Sequence, residues 1–376
     1  MLATAARAKE TSKRKNSDLD PRERVFATLD HEEPDRVPLF DFIYESKSFE
    51  NILGKKGVTP YTPRDYVRGH LALGLDLLVA NVGQSETFVP KRPSPDTIID
   101  EWGIRSKITE EMQVLPWYLS GSIEKPEDLE NYQAPDPHAP GRMKYLESVM
   151  KLAKDKIVVS TSAGCPFSLA WGLCSSMSLF LKWVYTSPNT VKKLLEITTN
   201  YDLEIAKRCI DAGVEIIWIC DDMGYNDGLF LSPSLMRKYV LPCLEKEVRA
   251  IKRRGAKVLL HCDGDVRMIL DDLVRTGIDG IHPMERSAKM DIRQIKHTYG
   301  DEICLIGNVE NKHLLPFGTT EEIAEQTKEC IETAAPGGGY MLSSDHSIHP
   351  CIPYENAKFM FDFAKKYGVY PKRDVQ

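Results

Sequence analysis

The chain has no C-x-x-C pair, no Gly-rich nucleotide fingerprint, no G-x-S-x-G or H-E-x-x-H segment, and no apolar run long enough to cross a bilayer. Each absence removes a class. Without paired cysteines, zinc-finger and thioredoxin-like readings drop out. Without a phosphate-cradling loop after the first strand, a dinucleotide-binding or P-loop enzyme is not indicated. Without a sustained apolar segment, neither a membrane span nor a secretory leader is expected. Positive charge is also short: a net charge of -6 and a pI near 5.9 give no electrostatic reason to bind nucleic acid or an anionic membrane. The one basic cluster is Arg7, Lys9, Lys13, Arg14 and Lys15, which reads as part of a solvated, disordered tail over residues 1–20.

What remains is ample material for a core, with 42% of 376 residues hydrophobic. The nine cysteines (165, 174, 209, 220, 243, 262, 304, 330 and 351) are unpaired in spacing and odd in number, as expected of reduced thiols in a cytoplasmic protein. From Val37 onward, short β-rich runs alternate with helical patterns. The runs are Val37–Phe42, Asp76–Val82, Lys156–Ser162, Glu215–Asp221, Lys257–Cys262, Gly277–His282, Ile303–Val309 and Gly339–Ser344. Amphipathic stretches at Leu235–Arg254, Val266–Arg275 and Glu321–Ala334 fall between the later ones. Repeated strand–helix alternation implies parallel strands with helices outside, and eight of them predict a closed (β/α)8 TIM barrel. We read residues 21–376 as a single barrel domain with an insertion, Gln84–Asp155, between the second and third strands. The insertion holds a hairpin-like segment, Thr97–Thr109, and two tryptophans, Trp102 and Trp117, that anchor it or line the pocket, core packing being the plainer role. A further stretch, Phe167–Ala212, reads as wholly helical.

In such barrels, chemistry comes from residues leaving each strand at its C-terminal end. Here those positions read Asp221-Asp222, His261-Cys262-Asp263, His282-Pro283-Met284-Glu285, Gly307-Asn308-Val309-Glu310 and Ser343-Ser344-Asp345-His346. Residues two apart face the same way in a strand, so His261 and Asp263 point together and Cys262 points opposite, as a packing thiol. An imidazole among carboxylates suits a divalent metal such as zinc, and equally a metal-free acid–base network; spacing alone leaves both open. Only one of the adjacent Asp221 and Asp222 faces inward, and the other is free to cap the helix that follows. His282 before proline is a turn residue or a substrate contact, and Tyr225 a substrate contact or a packing residue at the mouth.

Four segments carry a resemblance: Arg22-Glu23-Arg24-Val25 ahead of Asp35-Arg36-Val37-Pro38, Asp100-Glu101-Trp102-Gly103, the stretch His261 to Asp265, and Gly307-Asn308-Val309. Together they resemble the uroporphyrinogen decarboxylase superfamily over nearly everything after Arg22, which implies a (β/α)8 barrel. The superfamily divides into tetrapyrrole decarboxylases and corrinoid-dependent methyltransferases. Decarboxylases carry an arginine-containing segment after the first strand and an aspartate after the second. This chain has Phe40-Asp41-Phe42-Ile43-Tyr44-Glu45-Ser46 and Leu78-Val79-Ala80-Asn81-Val82 there, so a polyanionic tetrapyrrole would meet like charge.

The methyltransferase branch fits better. Members of the methanol and methylamine pathways hold zinc through a His-x-Cys pair and a later Cys. Here the pair is His261-x-Asp263, and Asp345-His346 falls near the later position, so oxygen and nitrogen stand in for thiolate. Methyltransferase components of aryl methyl ether O-demethylases are similar too, with a proposed zinc motif Glu-x14-Glu-x20-His that occurs as Glu310, Glu325 and His346. The resemblance implies zinc bound by His261, Asp263, Glu310 and His346, with Glu325 the weaker candidate because it falls inside a helix. It implies methyl transfer from a small methoxylated aromatic compound to the Co(I) of a corrinoid on a partner protein. Asp222 and Asp263 are the expected catalytic acids, and Tyr44, Tyr225 and His282 the expected substrate contacts. Two rival readings stand beside this one: a metal-free lyase acting on a small carboxylate through Asp222 and His261, and a non-catalytic barrel that binds a corrinoid or tetrapyrrole.

Overall fold

The structure, a computed structural model, describes residues 19–108 and 117–371. The basic cluster at Arg7–Lys15 and the C-terminal residue of the expected hairpin, Thr109, lie outside the described residues. Seven parallel strands form one sheet: β1 (Leu77–Val79), β6 (Val158–Gly164), β7 (Ile216–Cys220), β10 (Lys257–His261), β11 (Gly280–His282), β12 (Cys304–Val309) and β13 (Tyr340–Ser344). The first predicted strand survives only as two parallel bridges, Leu39 with Leu342 of β13 and Phe40 with Leu77 of β1. That segment therefore spans the two edges of the sheet and links last strand to first.

The ladder is short there because Pro38 has no N–H to give, and because the Asp41 carboxylate, not a backbone carbonyl, accepts the Ser344 N–H at 2.8 Å. Along the strands, alternate residues separate into two cores. Phe40, Phe42, Leu77, Ile216, Trp218, Leu259, Ile306 and Met341 fill the barrel interior. Ile217, Ile219, Val258, Leu260 and Leu305 pack outward against the helices. The helix Pro21–Leu29 adds Val25 and Leu29 to the interior cluster. Its N-terminus is set by a capping box in which Asp20 accepts from the Glu23 N–H and Glu23 from the Asp20 N–H.

The residues that carry the N-terminal resemblance hold this helix in place. Arg24 makes a bidentate pair with Asp35 at 2.7 Å and reaches Asp76 at 2.7 Å, and Arg36 bonds the same Asp76 at 2.8 and 2.9 Å. Between β1 and β6 the chain builds a four-stranded antiparallel sheet, β2 (Lys91–Ser94), β3 (Thr97–Ile99), β4 (Arg105–Lys107) and β5 (Trp117–Ser120), where the sequence reading expected a single hairpin. These strands are short and largely solvated, so they carry no two-residue hydrophobic rhythm to read. Arg142, 1% exposed, braces the insertion from within through Glu101 at 2.7 and 2.9 Å and the Asp136 carbonyl, and joins it to the chain leaving β1 through the Gly83 carbonyl. Trp102 packs edge-on against Tyr201, whereas Trp117 is exposed.

Beyond the barrel, β8 (Gly224–Tyr225) and β9 (Gly228–Leu229) form a small ribbon after β7. The segment read as wholly helical is three helices, Pro166–Gly172, Met177–Thr186 and Pro188–Asp211, the last two each opening just after a serine. No described helix is long and apolar enough to cross a membrane.

Candidate functional site

Register sets three side chains at one height. His261 of β10 pairs with Cys220 of β7 on one side and with His282 of β11 on the other. Trp218 and Leu259, two residues earlier in β7 and β10, lie in the interior core, so Cys220 and His261 share that inward phase. Asp263 continues it past the strand end. Cys262, in the opposite phase, sits in the outer core, where its sulfur accepts the Met223 N–H at 3.2 Å.

Asp222 arrives from the end of β7, and its Oδ1 accepts the Asp263 N–H at 3.0 Å. One ligand atom from each of Asp222, His261 and Asp263 lies within 4.8 Å of the others, the one such grouping among the described residues. Asp263 Oδ1 is 3.7 Å from His261 Nε2, and Asp263 Oδ2 is 3.2 Å from His346 Nε2. Burial works to raise the Asp263 pKa, but the neighbouring His261, and the hydrogen bond and charge of His346, hold it well below the usual carboxylate range. The same pairing acts on His346 in the opposite sense: burial lowers it, Asp263 outweighs burial, and the imidazole is pushed up to about 9. Burial, with the like charge of Asp263 added, raises Asp222 despite the opposing His261.

These residues fit a divalent cation. Asp263 Oδ1 is buried and has no hydrogen-bond partner. A buried, ionised and unpaired oxygen is costly, and a cation facing it removes that cost. One nitrogen and two oxygen donors match the ligand types zinc accepts.

The other expected residues fall elsewhere. His282 is fully buried on the inner side of His261, with the two Nδ1 atoms 2.8 Å apart and its ring among Phe40, Phe42 and Trp218. Burial, then His261, holds its pKa well below the ordinary imidazole value. His282 thus stands in the barrel interior against His261. Tyr44 is half-buried and stacked on Phe42 at 5.3 Å; burial, then Cys220, keeps its phenol neutral. Tyr225 is half-exposed on β8, against Phe230 at 5.7 Å.

Glu310 and Glu325 are not brought to this group. The Glu310 carboxylate accepts the backbone N–H groups of Lys312, His313 and Leu314, capping the turn after β12. Glu325 lies exposed on the helix Thr320–Ala334. Asp221 is a cap, though of an earlier helix than expected: its oxygens each accept at 2.8 Å from Phe167 and Ser168, in the first turn of Pro166–Gly172.

Three further acids shape the mouth: Asp41, which was given no role in the sequence reading, and Asp345 and Glu285, which stood among the strand-end positions without an assigned role. Asp41 accepts from Ser344 N–H and Oγ at 2.8 and 2.9 Å. Asp345 accepts from Asn311 N–H at 2.8 Å and Arg286 N–H at 3.3 Å, joining the loops after β11, β12 and β13. Glu285 pairs with Lys312 at 2.7 Å and accepts the Gly264 N–H at 3.3 Å. An aspartate inside the apolar run Leu39–Ile43 was the available signal for the first of these.

A parallel barrel that gathers imidazole and carboxylate from successive strand ends has the layout of a TIM-barrel enzyme. The chain belongs to the uroporphyrinogen decarboxylase (URO-D) family, whose model matches residues 98–367. Its relatives include the methylcobamide:CoM methyltransferase MtaA of Methanosarcina barkeri, 27% identical over 58% of this chain and 60% of that protein. They also include the methylcobamide:CoM methyltransferase MtbA of Methanosarcina acetivorans, 23% identical over 92% of this chain and 98% of that one. A uroporphyrinogen decarboxylase of Trichlorobacter lovleyi is 27% identical over 62% of this chain and 68% of its own length. The chain therefore spans about three fifths of the first of these relatives. A solved methyltransferase from Methanosarcina mazei has the same fold, with a TM-score of 0.74 at 21% identity, covering 93% of this chain and 99% of its own.

Proposed function

We propose that this protein is a corrinoid-dependent methyltransferase that takes the methyl group of a methoxylated aromatic compound and passes it to the Co(I) of a corrinoid on a separate protein. The observation that carries the reading is the grouping of Asp222, His261 and Asp263 at the mouth, with one buried Asp263 oxygen unpaired. Relatives named as methylcobamide:CoM methyltransferases support a corrinoid as one party to the methyl transfer; in this reading it is the acceptor. The donor set supports an ether as the methyl source.

Asp222, His261 and Asp263 would hold zinc, which when bound supplies a Lewis acid for an ether oxygen, more electrophilic with these donors than with thiolates. The chain's own groups do the rest. The half-buried Tyr44, backed by the buried ring of Phe42, is the aromatic face on which an aromatic substrate would lie. The methyl carbon leaves the ether oxygen for the partner's cobalt, the bonding pair stays on that oxygen, and the phenolate takes a proton from the partly exposed His346. Asp263 orients that imidazole through its second oxygen.

The test measures zinc in the purified protein and methyl transfer from a methoxybenzoate to a reduced corrinoid protein. His261→Ala is expected to lose its zinc and at least ~100-fold of its activity. Glu310→Gln and Glu325→Gln are expected to keep both. Zinc retained by His261→Ala, or no transfer from any methoxylated arene by the zinc-loaded protein, would refute the reading.

A further inference from the structure

The four-stranded sheet of the insertion has one face that packing against the barrel does not explain. Residues directly opposite each other in an antiparallel pair lie on the same side, so register assigns that face. Lys91 of β2 pairs with Ile99 of β3, Ile99 with Arg105 of β4, and Lys107 of β4 with Trp117 of β5. Arg105 and Lys107 are two residues apart, so all five share one side. Leu119, exposed like Trp117, extends it along β5. The reverse side is occupied: the Tyr118 hydroxyl donates to the Cys174 carbonyl, and its ring meets Trp171 edge-on at 5.2 Å.

The solvated side has the composition of a contact surface. Trp117 is 61% and Leu119 46% exposed, with Lys91, Arg105 and Lys107 exposed around them. Lys107 has Asp96 at 3.6 Å, whereas Lys91 and Arg105 have no carboxylate partner among the described residues. A chain with a net charge of -6 thus presents a locally positive face. Lysine on an edge strand is an ordinary guard against pairing with other strands, and this accounts for Lys91 on β2. It does not account for β5, the opposite edge, whose indole and leucine invite association. Large exposed apolar groups ringed by cations, tryptophan and arginine among them, mark a surface that meets another protein.

The sheet also stands at the mouth end of the barrel. It is inserted after the C-terminal end of β1. The chain leaving β5 is fixed by the Gly121 N–H on the Cys174 carbonyl at 2.7 Å and by a parallel bridge between Ile123 and Cys174. Cys174 follows the helix Pro166–Gly172, which opens directly after the C-terminal end of β6. A body closing on the strand ends that carry Asp222, His261 and Asp263 therefore passes beside this sheet.

We propose that the face bearing Lys91, Arg105, Lys107, Trp117 and Leu119 docks the corrinoid-carrying protein through an acidic surface on that partner. The inference rests on the corrinoid-dependent reading above and adds the surface that holds the acceptor. Charge complementarity steers the encounter, and the indole and leucine supply the apolar anchor. The face holds the carrier and touches neither substrate nor metal, so its loss weakens association and leaves the chemistry at the mouth intact.

The experiment compares the wild type with Trp117→Ala and with the double variant Arg105→Glu, Lys107→Glu. Each is assayed for methyl transfer to a reduced corrinoid protein and to free cob(I)alamin, and the same corrinoid protein is titrated onto each by calorimetry. Both variants are expected to raise the KM and Kd for the corrinoid protein by on the order of 10-fold, with kcat unchanged. Transfer to free cob(I)alamin should stay within about 2-fold of the wild type. Raising ionic strength from about 50 to about 300 mM should weaken wild-type binding and leave the charge-reversed variant nearly flat. A KM and Kd equal in all three proteins would overturn the docking face while the reaction stands. Binding that the variants lose, with no methyl transferred from any methoxylated arene, would uphold the face and refute the reaction. A wild type that binds no corrinoid protein, and instead forms a Trp117-dependent dimer or binds RNA through these residues, would overturn the choice of partner.

Discussion

Replacing Asp41 by asparagine should remove a pH dependence of stability that belongs to one carboxyl group. Asp41 is fully buried, and burial moves its pKa from 3.8 to about 7 against the stabilising hydrogen bonds from Ser344 and the charge of His346. Between those values the folded chain holds a proton that the unfolded chain has released. Stability therefore falls as pH rises through the window from about 4 to about 7 and is flat beyond it. At ~1.4 kcal/mol for each tenfold change in proton affinity, the whole loss is about 4 kcal/mol. Asparagine keeps an oxygen for the Ser344 N–H and turns an amide N–H toward Ser344 Oγ, so the strand-end geometry survives. Urea unfolding of the wild type and of Asp41→Asn, measured from pH 4.5 to 8.5, gives two stability profiles. They should nearly meet at the acid end and separate with rising pH, the variant becoming more stable by up to about 4 kcal/mol above pH 7. Other buried acids contribute to both profiles and cancel in the difference. Parallel profiles would show that Asp41 is ionised throughout and that its tie to Ser344 alone compensates for burial.

Glu101→Gln should cost about 3–5 kcal/mol in urea unfolding and expose residues 83–142 to limited proteolysis, because it leaves the guanidinium of Arg142 buried without its bidentate partner. A loss under ~1 kcal/mol would show that the carbonyls of Gly83 and Asp136 suffice to hold the insertion. Zinc removal should move a proton within the histidine pair. With a metal on His261 Nε2, its Nδ1–H donates to His282 Nδ1 across 2.8 Å, and His282 carries its own proton on Nε2. Without the metal, His261 Nε2–H turns to Asp263 and His282 donates from Nδ1. Nitrogen-15 shifts of the two rings that do not change on chelation would rule this arrangement out.

How much of this was legible in the sequence depends on which rule each residue obeyed. The seven strands from Leu77 to Ser344 follow runs of apolar residues between helical patterns, and each of those runs is a strand, six of them trimmed by one to four residues and one, Val158–Gly164, shifted two residues toward the C-terminus. The first run failed as a ladder for a reason its own letters contain, since Pro38 lacks a donor and Asp41 competes for one. The sheet within residues 91–120 was less visible, because its strands are short and solvated and their pairing is local, not dictated by a buried face. The π-helical turn at Met236–Val240, inside a stretch read as one continuous helix, also leaves no compositional mark.

At the site, two kinds of inference met different fates. Alternation is a property of the backbone, so once Leu259 is known to face the interior, His261 and Asp263 must follow it and Cys262 must not. Counting residues between acids has no such constraint behind it. Glu310 satisfies a spacing, yet it sits just before a short helix, where the N–H groups of Lys312, His313 and Leu314 hold its carboxylate. Glu325 satisfies the same spacing from the solvated face of a helix. Asp221 and Asp222 make the point within a single dipeptide: identical side chains, one consumed by the amides of Phe167 and Ser168 and the other left facing His261. A carboxylate stays available to a metal or substrate when backbone N–H groups do not take both of its oxygens, as at Asp222, where Oδ1 alone accepts from the Asp263 N–H, and that inventory of donors is set by which helix ends approach the strand. The missing information was therefore tertiary, and the residues it reassigns are those whose local donors the sequence does not place.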